Sequence, residues 1–90
     1  MFTHQANLVR TCRTSSSAPL TQTQLSLRIG LDGKGQYISN LERGKCGIPL
    51  KHVKKLSEAL QVPISDIKAA IDMDFTEHFQ RVVYGQVQEL

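Results

Sequence analysis

The stretch from Leu20 to Gly44, LTQTQLSLRIGLDGKGQYISNLERG, decides the fold because it holds two short helical patterns with a turn between them. Thr21 and Gln24 have the spacing of a capping box, in which each side chain bonds the backbone N–H of the other residue and so starts a helix. Gly30 can adopt the left-handed conformation with which many helices end. The first helix of the pair is therefore predicted to be short and to lie between these two signals.

The second helix of the pair follows a glycine-rich turn, residues 31–35. Two glycines within three positions favour an unusual backbone there. The helical period returns near Gln36, and Ile38 and Leu41 then fall on the inner side. Gln36 and Asn40, four residues apart, share the exposed side. Two helices joined in this way, the second presenting polar side chains, have the layout of a helix-turn-helix, which places its second helix in the major groove of DNA.

Three further helical patterns surround this pair. One runs from about His4 to Thr14, and another, Leu50–Leu60, has apolar residues at spacings of three to four and lysines on its exposed side. A third is expected to begin with Ser65 as its N-cap. We therefore predict an all-α, compact five-helix domain over residues 1–71, with the helix-turn-helix proper at 20–44. The expected buried residues of the last two helices are Leu50, Val53, Leu56 and Leu60, then Ile64, Ile67 and Ile71.

The C-terminal segment, residues 72–90, carries another apolar stripe at helical spacing, which predicts an additional C-terminal helix. Because the other helices already supply a core for so small a domain, the stripe either covers that core or contacts a second copy of the chain. We favour contact between two copies, so the chain is expected to form a homodimer. The stripe consists of Phe75, Phe79, Val82 and Val83, extended by Tyr84, Val87 and Leu90.

Charge is distributed unevenly along the chain, whose net charge is +3. Between residues 28 and 55, seven lysines and arginines face two acidic residues, whereas between 56 and 90 six acidic residues face two basic ones. A concentrated basic segment is attracted to a polyphosphate surface. The alternative is a solvated charged surface that binds nothing.

Several classes of protein are not expected from this sequence. Cys12 and Cys46 fit no metal-ligand spacing, and two cysteines do not make a secreted disulfide scaffold. His4, His52 and His78 are scattered, so we predict no metal site. No nucleophile–base arrangement or carboxylate pair stands out, so neither an enzyme nor a cofactor is expected. Without a membrane-spanning apolar run or a signal peptide, the protein is expected to be soluble and cytoplasmic.

An ordered set of five motifs carries a family resemblance. They are Val9-Arg10-x-x-Arg13, Leu20-Thr21-Gln22-x-x-Leu25, Ile29-Gly30-Leu31, Tyr37-Ile38-Ser39-x-Leu41-Glu42-Arg43-Gly44, and Leu56-x-x-Ala59-Leu60-x-Val62. Together, over residues 8 to 71, they resemble the phage-repressor-like (XRE, Cro-type) helix-turn-helix family of bacteria and phages. The resemblance implies a five-helix domain whose third helix reads the major groove as part of a dimer. The chain departs from the family in its turn before Ile38, which is longer than usual, and in Ser26, where alanine is typical.

The exposed residues around the second helix of the motif suit contact with DNA. An amide can bond two atoms of one base edge, adenine above all, so Gln36 and Asn40 are the predicted base readers. Lys34 and Lys45 flank that helix and suit contact with phosphates. Arg43 lies near the helix end, where we favour a phosphate over a guanine as its partner.

Five further residues have assigned roles. Tyr37 either contacts a thymine methyl or phosphate or packs half-buried, and Ser39 suits a phosphate or local helix bonding. Gln22 lies in the first turn of its helix, where free N–H groups favour an anion. By resemblance Gln22 clamps a backbone phosphate and braces the recognition helix. The resemblance also implies an ion pair between Arg13 and Glu42, which holds the third helix against the first.

The predicted function is that of a sequence-specific regulator of transcription that binds double-stranded DNA. It is expected to be a repressor and to act as a homodimer. The alternative is an antitoxin or another protein-interaction module whose segment 72–90 binds a partner protein. The two are compatible, since by family analogy antitoxins often bind their own promoter.

Overall fold

The computed structural model describes residues 2–85, and within them it contains five α-helices and no strand. This confirms the all-α, five-helix fold that the sequence predicts. None of the helices in this part of the chain combines the length and the apolar character needed to cross a membrane. The helices are α1 Thr3–Ser15, α2 Gln22–Arg28, α3 Gln36–Glu42, α4 Val53–Leu60 and α5 Ile64–Phe79.

Helix α2 begins and ends at the predicted signals. The Gln24 backbone N–H donates to Thr21 Oγ1 over 3.0 Å, and the Thr21 N–H donates to Gln24 Oε1 over 2.9 Å, so the capping box is complete. At the other end Gly30 has a φ of 87°, and its N–H donates to the Leu27 carbonyl. The Leu31 N–H donates to the Ser26 carbonyl, which completes a Schellman motif. These caps limit α2 to seven residues.

The long turn between α2 and α3 is folded onto α2. Asp32 Oδ1 accepts a hydrogen bond of 3.1 Å from the Lys34 backbone N–H. Gly33, with a φ of 83°, lies against the Leu27 side chain, and an added Cβ would come within 3.0 Å of Leu27 Cδ2. A side chain at position 33 would therefore be strained twice, by its backbone angle and by this contact.

The core is formed by the inner side of every helix. Helix α1 packs against α5 and α3, and α2 packs against α3. Ile38 and Leu41 of α3 are buried in this cluster, as the sequence predicts. Helix α3 is thus held from inside by two neighbours while its opposite side stays in solvent. The buried cluster consists of Val9, Leu25, Ile29, Ile38, Leu41, Ile48, Leu56, Leu60 and Ile67.

Three expectations about the starts of α4 and α5 are wrong. A single 3-10 turn, Leu50–His52, precedes α4, and because such a turn has three residues rather than 3.6, Leu50 points away from the apolar side and is 81% exposed. Helix α5 starts at Ile64 after Pro63, so Ser65 lies inside the helix and does not cap it. Ile64 is exposed, because it lies in the first turn of α5 at the edge of the helix side on which Ile67 is buried.

Helix α5 continues through the predicted boundary at residue 72 and passes at Phe79 into a π-helical segment, Gln80–Tyr84. The additional C-terminal helix is therefore present as a continuation of α5. The stripe does not cover the core: Phe75 is 66% exposed, Phe79 45% and Val83 42%. Contact of the stripe with a second copy of the chain stays a prediction. Val87 and Leu90 lie outside the described residues.

Candidate nucleic-acid interface

The outer side of α3 presents the two predicted base readers together. Gln36 is exposed in the first turn, and Asn40 is half-buried one turn later. Their amides are bonded to each other, with Gln36 Nε2 donating to Asn40 Oδ1 over 3.0 Å. The i, i+4 spacing brings the side chains together, and such an amide pair also stabilises a helix by about 0.2–0.5 kcal/mol. The sequence placed both residues on this side but did not reveal the bond.

Exposed cations surround this pair. Lys34 precedes α3, Arg43 follows its last residue, and Lys45 lies two positions further on, all of them exposed. The hydrogen bond from Asp32 fixes the backbone of Lys34 and leaves the side chain in solvent. Exposed cations before and after the helix that carries the two amides suit contact with phosphates that flank a base edge.

A partly buried ion pair fixes the end of α3. Arg13 of α1 donates through Nε to Glu42 Oε2 over 2.6 Å and through a second nitrogen to Oε1 over 2.9 Å. Its third nitrogen donates to the Leu20 carbonyl over 2.9 Å. The Arg13 side chain is 15% exposed and the Glu42 side chain 6%, and the bond to Glu42 raises the pKa of Arg13. The Arg13 guanidinium thus joins α1 to α3 through Glu42 and to the start of the helix-turn-helix through Leu20.

Gln22 joins the same carboxylate from α2. Its Nε2 donates to Glu42 Oε1 over 3.2 Å, so the half-buried amide braces α3 against α2. The Gln22 Oε1 is not needed for this bond. The phosphate clamp that the resemblance implies for Gln22 stays a prediction.

Tyr37 lies half-buried beside the start of α4. Its hydroxyl bonds His52 Nδ1 over 3.0 Å, and the two rings meet edge to face with 5.5 Å between centroids. Burial raises the pKa of Tyr37 to about 12, and burial together with Lys51 and Lys55 lowers the pKa of His52. At neutral pH a neutral phenol and a neutral imidazole therefore share this hydrogen bond, whose direction is set by the tautomer of His52. The half-buried position agrees with the packing role considered for Tyr37, and its contact with a thymine methyl or phosphate stays a prediction.

Ser39 is half-buried on α3, directly after the buried Ile38. It is three residues after Gln36, a spacing that makes the two side chains neighbours on the helix surface. Contact between Ser39 and a phosphate stays a prediction.

A buried polar network links α1, α5 and the segment after α3. No pattern in the sequence indicates it. Asp74 of α5 accepts the backbone N–H groups of His4 and Gln5, each over 2.9 Å, and so caps the start of α1. Gln5 Oε1 accepts the Ile48 N–H over 2.7 Å. The partners are about seventy residues apart in the chain, so no local pattern could have indicated this cap.

The same corner brings ligand-type side chains together. Atoms of His4, Asp74 and Glu77 lie within 4.8 Å of one another. Asp74 is occupied by two backbone N–H groups, His4 is bonded to Glu77, and that bond raises the pKa of His4. The positive end of α1 also disfavours a cation here. A helix cap and an ion pair therefore account for the cluster without a metal.

Comparison with known proteins supports the same region. A family model described as helix-turn-helix matches residues 20–67, slightly more than half of the chain. The matched segment begins at the capping box and ends within α5, so it contains α2, the turn, α3 and the cations around α3. Searches of curated proteins and of solved structures gave no match.

Proposed function

The chain belongs to the XRE-type helix-turn-helix family of DNA-binding transcription regulators, and from that premise we propose that it is a sequence-specific repressor that binds as a homodimer. Helix α3 enters the major groove, where Gln36 and Asn40 contact base edges. Lys34, Arg43 and Lys45 contact the flanking phosphates. Base contacts give sequence preference and phosphate contacts give most of the affinity.

The observation that carries this proposal is that the two sides of α3 differ, one fixed to the protein and the other open to solvent. Its inner side is fixed by Ile38 and Leu41 in the core and by Glu42 in the ion pair with Arg13. Its outer side carries an exposed amide pair that the fold does not use. A rigid helix with free hydrogen-bonding groups on its solvent side is what direct reading of a base requires.

The homodimer is supported by the apolar stripe of α5. Phe75, Phe79 and Tyr84 are 66%, 45% and 55% exposed. With about 200 Å² for each aromatic side chain, these three leave about 300 Å² of apolar surface in water. Patches of this size on a small domain are often interaction sites. A second copy of the chain would cover the stripe. A dimer that binds two half-sites then needs its two α3 helices about 34 Å apart, one turn of DNA.

Repression is the simplest consequence of such a dimer. A protein that occupies an operator overlapping a promoter excludes RNA polymerase without any further surface. Activation would require an additional contact with polymerase.

Selection of bound fragments from random DNA with the full chain tests the proposal. We expect an enriched site made of two similar half-sites, and the affinity for it is expected to fall steeply with salt. In a reporter assay the enriched site, placed over a promoter, should lower expression when the protein is present. Failure to enrich any sequence would contradict specific binding, and higher expression would contradict repression.

The exposed stripe also favours a second candidate, an antitoxin or similar module whose segment 72–90 binds another protein. The two candidates differ in solution. A chain that sediments as a monomer at micromolar concentration, and retains one particular protein from its host in a pull-down only when 72–90 is present, would be a partner-binding module. A dimer that retains none would be the homodimeric regulator.

A further inference from the structure

His52 is joined to α3 although it belongs to the turn before α4. Its Nδ1 shares a hydrogen bond of 3.0 Å with the hydroxyl of Tyr37, and the two rings meet edge to face. Tyr37 is three residues before Asn40, a spacing that makes their side chains neighbours on the surface of α3. The imidazole is therefore attached to α3 at the border of the side that carries the amide pair.

The second ring nitrogen of His52 is open to a ligand. Within residues 2–85, Nε2 makes no hydrogen bond, and it is not one of the buried polar atoms that lack a partner, since Ser26 Oγ alone is of that kind there. An atom of a half-buried side chain that is neither bonded nor buried is in contact with solvent. One nitrogen thus fixes the ring, and the other faces outward.

The charges around His52 favour an anion as that ligand. Lys51 precedes it and Lys55 follows it three residues later, both exposed. Burial and these two cations lower the pKa of His52, and no carboxylate of the described residues opposes them. The other titratable groups at this place are Tyr37 and, beside it, Cys46. An anion at Nε2 would therefore enter a positive and otherwise unneutralised environment.

We propose that His52 binds a phosphate of the DNA backbone through its Nε2–H, and that Tyr37 is the positioning residue that holds the ring for this contact. The inference rests on the proposed function and extends its interface from α3 to the turn before α4. Because a phosphate oxygen only accepts, the neutral bound ring carries its hydrogen on Nε2, and the Tyr37 hydroxyl donates to Nδ1. A phosphate contact adds affinity on every DNA and carries no base preference.

The contact also links DNA binding to pH. A phosphate beside Nε2 is an opposite charge that raises the pKa of His52 in the complex above its lowered value in the unbound chain. When the ring is protonated, Nε2–H still donates to the phosphate and the Tyr37 oxygen accepts from Nδ1–H, so one geometry serves both states. Binding therefore takes up a proton, and affinity rises as the pH falls through the pKa of the complex.

Binding titrations at low salt, on the selected operator and on a scrambled duplex, test the contact at pH 6 and pH 8. At pH 6, His52→Ala should weaken binding to each half-site by about tenfold, equally on both duplexes. The wild type should bind about fivefold more tightly at pH 6 than at pH 8, and His52→Ala should lose this dependence. His52→Gln keeps an N–H donor that does not titrate, so it should restore most of the affinity without the pH dependence.

Tyr37→Phe separates positioning from packing, because it keeps the ring and removes the hydroxyl. It should weaken binding by about threefold. The double variant with His52→Ala should be no weaker than His52→Ala alone, since the hydroxyl acts only through the imidazole. His78→Gln is the matched control: this exposed histidine of α5 lies outside the candidate interface, so affinity and pH dependence should stay as in the wild type. Circular dichroism verifies that each variant is folded.

Neutral methylphosphonates, placed singly along the operator backbone, locate the contact. The wild type should lose affinity at each phosphate that it binds, and His52→Ala should become insensitive at one of these positions.

The outcomes separate this inference from the proposed function. If His52→Ala binds both duplexes as tightly as the wild type does, or if the losses of the double variant multiply, the inference is wrong while specific DNA binding stands. A loss confined to the operator would show that His52 reads a base and not a phosphate. A pH dependence that persists in His52→Ala would contradict proton uptake at this ring. If the wild type prefers no sequence, the proposed function fails by itself, and a wild type that binds no DNA removes both.

Discussion

Replacing Ser26 with alanine should stabilise the protein. The Ser26 side chain is completely buried in α2, and its hydroxyl has no hydrogen-bond partner among the described residues. A buried hydroxyl without a partner costs about 1–3 kcal/mol, and alanine is a better helix former than serine by up to about 0.5 kcal/mol. The void left by one oxygen is smaller than a methyl group, whose loss would cost about 1 kcal/mol. The expected net gain is therefore about 1 kcal/mol in the free energy of unfolding.

Urea unfolding followed by circular dichroism measures this gain, and a gain of that size corresponds to a rise of about 4–8 °C in the melting temperature. Ser65→Ala is the matched control, because Ser65 is exposed within α5 and its replacement should change stability by less than about 0.5 kcal/mol. Operator affinity should not change, since Ser26 points into the core. A neutral or destabilising Ser26→Ala would refute the reasoning, because it would mean that the hydroxyl is satisfied in the folded protein.

Three further predictions concern the charges and the stripe. Glu42→Gln should cost about 1.5–3 kcal/mol in urea unfolding, since it leaves the partly buried Arg13 without its anion. A cost below about 1 kcal/mol would contradict the role of the pair. The bond to Glu77 raises the pKa of His4 above 6.5, so the stabilisation by this bond is complete below pH 6.5 and is lost as the pH rises through the pKa of His4 in the folded state. The difference in melting temperature between wild type and His4→Ala should therefore be larger at pH 5.5 than at pH 8.5. An equal difference at both pH values would show that the pair does not form. Phe79→Asp should convert the proposed homodimer to a monomer in sedimentation and weaken binding to the operator by at least about tenfold, whereas binding to a single half-site should not change. A dimer that persists in this variant would place the interface elsewhere.

Local signals in the sequence predicted the parts of the fold that depend on neighbouring residues. The capping box of Thr21 and Gln24 and the left-handed Gly30 are complete within five residues each, so α2 could be bounded from the sequence alone. The inner side of α3 followed in the same way from its period. The ion pair between Arg13 and Glu42 came only from the family resemblance, because no local pattern joins residues 29 positions apart.

Two wrong predictions about α5, its end near residue 72 and its cap at Ser65, have a different cause, because the sequence there contains two apolar sides and two possible helix starts. Helix α5 turns Ile67 and Ala70 to the core and Phe75 and Phe79 away from it, and this change of side has the same pattern as the start of a new helix. Ser65 has the chemistry of a cap, but Pro63 already ends the preceding segment in an extended conformation and α5 starts before the serine.

Specificity and stability are carried by opposite sides of one short helix. Ile38, Leu41 and Glu42 hold α3 to the protein, whereas the side chains of Gln36 and Asn40 bond only to each other within the part of the chain that the structure describes. Substitutions at positions 36 and 40 by other helix-forming residues therefore forfeit little beyond the small gain of the amide bond, about 0.2–0.5 kcal/mol. A library randomised at these two positions would keep a folded scaffold in nearly every member, which makes the chain a compact starting point for switches that recognise chosen promoters without interfering with one another.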